Sequence, residues 1–199
     1  MQKFALFNVY IMDTTLFSLP VKLTVSLAPP HAWDYIRVKI SNLYYNLDSQ
    51  SLTAEVTCQY QCSGDNYAGI ESLSVPAMVL YKGKMYRVTT IGHGAFAYCR
   101  SLAAVALPQV LTTIGAYAFY YCSNLRAVTI AEGVTNIGDG AFALCCNLAS
   151  LTCLAVKPPV GKMFVFGCVN CAEVTLYVPQ KAEKAYVAAK PWRDFHICS

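Results

Sequence analysis

A nine-residue phrase recurs three times in this 199-residue chain. Ile91-Gly92-His93-Gly94-Ala95-Phe96-Ala97-Tyr98-Cys99 returns as Ile114-Gly115-Ala116-Tyr117-Ala118-Phe119-Tyr120-Tyr121-Cys122 and as Ile137-Gly138-Asp139-Gly140-Ala141-Phe142-Ala143-Leu144-Cys145, each copy 23 residues after the last. A strict period of this size marks a repeat solenoid, in which each unit buries its apolar face only by stacking on its neighbours. Equivalent residues then form columns, and each column must be able to pack against itself.

The columns predict the shape of one unit. Leu102, Leu125 and Leu148, then Val105, Val128 and Leu151, then Leu107, Ile130 and Cys153 spell a short strand whose apolar side chains point inward. Leu111 and Val134, then Ile114 and Ile137, spell a second extended segment, with Val88 and Ile91 preceding them in register. Gly92, Gly115 and Gly138 predict a sharp turn into an A-F-x-x-C segment of one or two helical turns. Phe96, Phe119 and Phe142 are expected to stack as a ladder. Cys99, Cys122 and Cys145 become small buried apolar side chains rather than ligands. Upstream, Ile70, Leu73, Val75 and Pro76 match Leu102, Val105, Leu107 and Pro108 at an offset of 32. The extra length falls at residues 78–87, where Lys82-Gly83 predicts a protruding hairpin.

Four regions follow. Residues 1–33 are apolar, but Asp13 and Lys22 interrupt them before the roughly 18 uncharged residues of a membrane span. Ser26-x-Ala28 has the spacing of an export cleavage site, yet Pro29 follows, so a degenerate signal and a disordered extension both stay open. No Cys precedes Cys58, so no lipobox for a lipid anchor is present. Residues 34–66 alternate as Ile36, Val38 and Ile40, then as Leu52, Ala54, Val56 and Cys58, which predicts an N-terminal β-hairpin cap. Residues 67–178 form the solenoid, whose period is expected to decay after Cys153, where Pro158-Pro159 breaks the coil and residues 164–168 echo the phrase only in part. Residues 179–199, after a last strand at 174–178, are expected to be a cap: a helix over 181–190 is stopped by Pro191, and Trp192, Phe195 and Ile197 fold back over the final coil.

Chemistry is hard to find. Charged residues are 13% of the chain, against about 25% in an ordinary domain, and the net charge of +4 is scattered, which argues against a nucleic-acid partner. Cys58-x3-Cys62 and Cys168-x2-Cys171 lie too far apart along the chain to supply the four convergent ligands of a zinc site. They leave a loop disulfide open. His31, His93 and His196 stand in unrelated contexts, and no G-x-S-x-G, H-E-x-x-H, phosphate-loop or dinucleotide-binding phrase occurs. No enzymatic activity, metal or cofactor is expected.

The stretch from Leu125 through Gly138-Asp139-Gly140-Ala141-Phe142 to Cys145 resembles the BspA-like leucine-rich repeats, whose consensus reads much like L-x-x-V-x-I-P-x-x-V-T-x-I-G-x-x-A-F-x-x-C. The likeness covers residues 70–178, and the flanking segments around Leu43-Tyr44-Tyr45 and Tyr186 are also similar to that family's. Ala131 stands where Pro is usual and Cys153 where an aliphatic is usual. The resemblance implies a mostly β, right-handed leucine-rich-repeat solenoid and a secreted or cell-surface protein of host-associated bacteria or parasitic protists. It implies adhesion, with a host extracellular protein as partner; an intracellular or structural interaction scaffold is the alternative. Tyr98, Tyr117, Tyr120 and Tyr121 beside the Phe ladder, with Arg126 on the outward strand face, are the candidate contacts, since Tyr supplies rigid amphipathic area. The rings also read simply as cover for the coil edge.

Overall fold

The computed structural model describes residues 8–9, 21–22, 35–58, 67 and 69–199. Strands β1 (Asn8–Val9) and β2 (Val21–Lys22) form a short antiparallel pair. The rest of the expected leader lies outside the described residues, as do residues 59–66, with Cys62, and residue 68.

The apolar alternation at the start folds as three antiparallel strands, β3 (Tyr35–Ile40), β4 (Leu43–Asp48) and β5 (Thr53–Thr57). Asp48 makes the second turn by accepting hydrogen bonds from the Gln50 and Ser51 amides and the Ser51 hydroxyl. One face of this meander is polar, with Arg37, Asn46 and Glu55 bonded in a row across the strands. The other buries Val38, Ile40, Tyr45, Leu47 and Val56.

From β6 (Ser72–Ser74) onward the chain feeds two parallel sheets in turn. In the first, β5 is followed by β8 (Lys84–Ile91), β10 (Thr113–Ile114), β12 (Asn136–Ile137) and β14 (Val160–Gly161), and β7 (Met78–Tyr81) pairs antiparallel with β8. In the second, β6 is followed by β9 (Ala104–Ala106), β11 (Ala127–Ile130), β13 (Ser150–Cys153), β15 (Thr175–Tyr177) and β16 (His196–Cys198). The registers join equivalent residues of the repeated phrase: Ile91 with Ile114 with Ile137, and Ala104 with Ala127 with Ser150. Inward columns are buried, apart from the half-buried Leu107, and outward ones are exposed or half-buried, as the alternation along each strand requires.

The structure corrects the sequence reading in four places. The A-F-x-x-C segments are not helical; among the described residues one α-helix occurs, the short α1 (Glu183–Ala188) near the C-terminus. In those segments backbone N–H groups alternate between targets. Ala95, Ala97 and Cys99 bond locally to Gly92, Gly94 and Phe96, whereas Gly94, Phe96 and Tyr98 donate to Ala116, Ala118 and Tyr120 of the next unit. A helix would have kept all of these donors to itself. The result is a third hydrogen-bonded strip running across the units.

The glycine column has a different cause from the one expected. Gly92, Gly115 and Gly138 are not at positive φ. A Cβ on Gly115 would lie 2.8 Å from the Gly92 carbonyl carbon, and one on Gly138 would lie 2.6 Å from that of Gly115. The units approach so closely there that only hydrogen fits.

The insertion at residues 78–87 is a hairpin with Lys82 and Gly83 at positive φ, as its turn requires. It does not simply protrude, because Val79, Tyr81 and Tyr86 are buried in the core. Nor does the chain leave the pattern at Pro158-Pro159. Val160 and Gly161 pair with Asn136 and Ile137, one residue out of step with the earlier units. Phe166, not Phe164, then continues the aromatic ladder.

That ladder is the core. Phe96 and Phe119 stack at 5.3 Å, Phe119 and Phe142 at 5.2 Å, and Phe142 and Phe166 at 5.6 Å, with interplanar angles of 17°, 4° and 10°. Tyr67 begins it against Phe96, and Trp192 and Phe195 meet Phe166 edge-on at the other end. Each such pair adds about 0.5–1.5 kcal/mol beyond the area it buries. Trp192 is wholly buried, and its indole N–H donates to the Pro159 carbonyl at 2.9 Å.

Candidate functional site

The turn strip positions the site. In four successive units it places two residues, four apart, in the left-handed region: Gly94 and Tyr98, Tyr117 and Tyr121, Gly140 and Leu144, Phe164 and Cys168. Glycine takes that conformation freely, whereas a bulky side chain there is disfavoured by roughly 1–2 kcal/mol. The first column therefore reads Gly, Tyr, Gly, Phe, with aromatic rings forced onto a backbone that prefers none. Phe164 is 73% exposed and Tyr117 44% exposed, so burial does not offset the strain. Non-glycine residues held in such regions cluster at functional sites.

The tyrosines expected from the sequence come together. Tyr117 and Tyr120 meet at 5.6 Å and 85°, Tyr120 and Tyr98 at 5.4 Å and 78°, and Tyr98 and Tyr121 at 5.7 Å. His93 extends the row edge-on against Tyr117, and the Arg100 guanidinium covers the Tyr121 ring at 4.7 Å. Arg126 does not join them. It precedes β11 and lines a separate polar recess of about 290 Å³ with Glu71, Ser101 and Asn124.

Beside the tyrosines runs an open groove of about 480 Å³, walled by Tyr117, Tyr120, Leu144, Met163 and Phe164, with Asp139 at its edge. Gly140 lies under the Tyr117 ring; a Cβ there would strike it at 2.8 Å. Asp139 Oδ1 accepts the Met163 N–H at 2.9 Å and so ties one unit to the next. Met163 and Phe164 were missed from the sequence because the extra residue in the last unit disguised their columns. His93 was set aside in the sequence because its column varies between units, and Arg100 was missed for the same reason.

The cysteines hold structure. Cys122 Sγ donates to the Phe96 carbonyl at 3.1 Å and Cys145 Sγ to the Phe119 carbonyl at 3.2 Å, each reaching back one unit. Burial pushes the Cys145 thiol up to about 12, so it stays protonated and unreactive at neutral pH. Burial likewise raises the Cys153 thiol, and the Tyr186 hydroxyl lies 3.0 Å from its sulfur while donating to the Ala155 carbonyl at 2.8 Å. Cys168 and Cys171 are separate thiols, not a disulfide. The Cys58–Cys62 alternative involves a residue outside those described.

The profile of the BspA type Leucine rich repeat region, in six copies, matches residues 85–184. The chain belongs to the BspA-type leucine-rich-repeat family. Its structure is similar to that of a leucine-rich repeat protein from Bacteroides capillosus, with 26% identity, a TM-score of 0.59, and 72% of this chain matched to 98% of that one. A leucine rich cell surface protein from Faecalibacterium prausnitzii shares the fold at 24% identity and a TM-score of 0.55, over 81% of this chain and 42% of its own length. A search of curated proteins gave no match. This BspA-type chain is thus a leucine-rich-repeat protein, mostly β with few helices, of a kind that serves in protein interaction. No helix among its described residues is long and apolar enough to cross a membrane.

Proposed function

We propose that this chain is a non-enzymatic binding module, exported to the cell surface or beyond it, that engages an extracellular protein of a host through the turn face of a capped, right-handed solenoid. In this reading residues 34–66 close the first coil, residues 67–178 form the stack, and residues 179–199 close the last coil with Tyr186, Trp192 and Phe195. The observation that carries the proposal is the exposed aromatic face held against backbone preference at Tyr117 and Phe164. The outward strand face offers less, being lined by Ala104, Ala127 and Ser150, then Ala106, Thr129 and Thr152. Export is supported by the cell-surface description of the Faecalibacterium protein of the same fold.

The test is a binding array of extracellular-matrix, plasma and neighbouring-cell proteins, probed with the purified chain, with Tyr120→Ala and with the strand-face control Thr129→Arg. A partner lost with Tyr120→Ala and kept with Thr129→Arg is the expected outcome. No partner at all, or one lost only with Thr129→Arg, rejects the reading.

A second reading, an intracellular scaffold, is favoured by the exposed thiols of Cys146 and Cys168, since unpaired surface thiols suit a reducing compartment. Mass spectrometry of the mature protein separates the two. Cleavage near Ala28 or Ala32 indicates export, and an intact Met1 with reduced thiols indicates the cell interior.

A further inference from the structure

We infer that the groove between Tyr117 and Phe164 is a pocket for the lysine side chain of a partner protein, a specificity that rests on the binding-module reading above. Three features converge on a cation. Tyr117 and Tyr120 stand at 85° to one another with ring centroids 5.6 Å apart, so they form two walls of a corner. Phe164, 73% exposed, and Met163, 68% exposed, line the opposite side. Aromatic faces carry negative charge density and attract an ammonium group placed over them.

The electrostatics point the same way. Asp139 is the one charged side chain among the residues lining this groove. Among the described residues no ion pair involves it. Of the basic groups nearby, Arg100 sits over Tyr121, His93 meets the Tyr117 ring edge-on, and the exposed Lys162 precedes Met163 in the chain, but none of the three lines the groove. In a chain of net charge +4, this is a local acceptor of positive charge.

The geometry also selects among cations. Asp139 Oδ1 already accepts the Met163 N–H, so a partner that engages both oxygens must share Oδ1 with that amide, whereas Oδ2 is the less occupied acceptor. That asymmetry suits the compact ammonium of lysine better than the two-pronged guanidinium of arginine, which is matched to both oxygens of a carboxylate. The four-carbon stem of lysine then lies along Leu144 and the rings, as long amphipathic side chains do on apolar surfaces.

The probe is Nα-acetyl-lysine N-methylamide, titrated into the ¹⁵N-labelled full chain, with Nα-acetyl-norleucine N-methylamide as a neutral analogue of similar shape. The lysine probe should shift the amides of Asp139, Gly140 and Phe164 in a saturable way, and the norleucine probe should bind weaker by about threefold, the scale of one exposed charge pair. Asp139→Asn retains an acceptor for the Met163 N–H, and it should bring the lysine probe down to the norleucine level while the circular dichroism spectrum stays unchanged. Equal binding of the two probes to the wild-type chain, or full lysine binding by Asp139→Asn, overturns the inference. If the lysine probe shifts nothing while Tyr120→Ala still abolishes capture of an array partner, the lysine pocket is wrong and the binding-module reading stands.

Discussion

Gly138→Ala is expected to destabilise the fold far more than an ordinary glycine substitution, and the reason can be worked from distances. The new Cβ would lie 2.6 Å from both the Ala116 Cα and the Gly115 carbonyl carbon. Carbon atoms in good contact sit about 3.5 Å apart or more, so the two units must separate by about 0.9 Å. That movement breaks the bond from the Gly138 N–H to the Ile114 carbonyl, now 2.8 Å, and strains the bond from the Tyr117 N–H to the Asp139 carbonyl, also 2.8 Å. Losing one backbone bond and weakening a second, with groups left unsatisfied at a packed boundary, amounts to about 2–3 kcal/mol. Urea denaturation followed by circular dichroism measures it, with Gly138→Asn alongside. Were the glycine needed only for a left-handed backbone, asparagine would be the milder replacement, because its short polar side chain tolerates that region. Close approach predicts that asparagine is at least as damaging as alanine. A loss below about 0.5 kcal/mol for Gly138→Ala, the range of an inconsequential surface change, or a clear advantage for asparagine, would refute the reasoning.

Other outcomes follow from the same structure. Phe164→Gly should raise stability by about 0.5 kcal/mol, the relief of a left-handed phenylalanine less the added freedom of an unfolded glycine, while weakening partner binding; urea denaturation read beside the array assay checks both. Iodoacetamide at neutral pH should modify the exposed Cys146 and Cys168 in the folded protein and leave the buried Cys145 untouched, which peptide mass spectrometry shows directly. Stability should fall in alkali: the folded Cys145 thiol, raised by burial to about 12, favours the fold fully below the unfolded thiol value of roughly 8.5 and loses that contribution as pH climbs towards the folded value. Buried Tyr45, Tyr67 and Tyr186, raised in the same direction, add to the fall above about pH 10; a melting temperature that stays constant to pH 11 contradicts this.

Much of the fold was legible because a repeat writes its own register. The pairing of Ile91 with Ile114 and Ile137, the Phe stack and the buried Cys column could all be read from equal spacing, since a column of identical residues has to pack against itself. The hairpin at Lys82-Gly83 and the alternation in residues 36–58 carried ordinary strand and turn signals. What escaped were properties that arise only between units. The A-F-x-x-C spacing suits a helical turn as well as it suits paired left-handed residues, and only the bonds from Gly94, Phe96 and Tyr98 to the next unit decide between them. A glycine excluded by a neighbouring backbone looks the same in sequence as a glycine chosen for its turn. The single added residue before Gly161 moved the ladder to Phe166 and left Phe164 outside, so half of the groove was invisible until the units were stacked.

The turn face as the binding surface is tested most directly by chemical footprinting of tyrosine in the complex with whichever array partner is captured. Iodination read by peptide mass spectrometry reports the reactivity of each ring, free and bound. Protection of Tyr117 and Tyr120 on binding, with Tyr35 and Tyr177 as reactive as before, is the predicted result. Protection of Tyr177 on the strand face, with Tyr117 and Tyr120 unchanged, would contradict it.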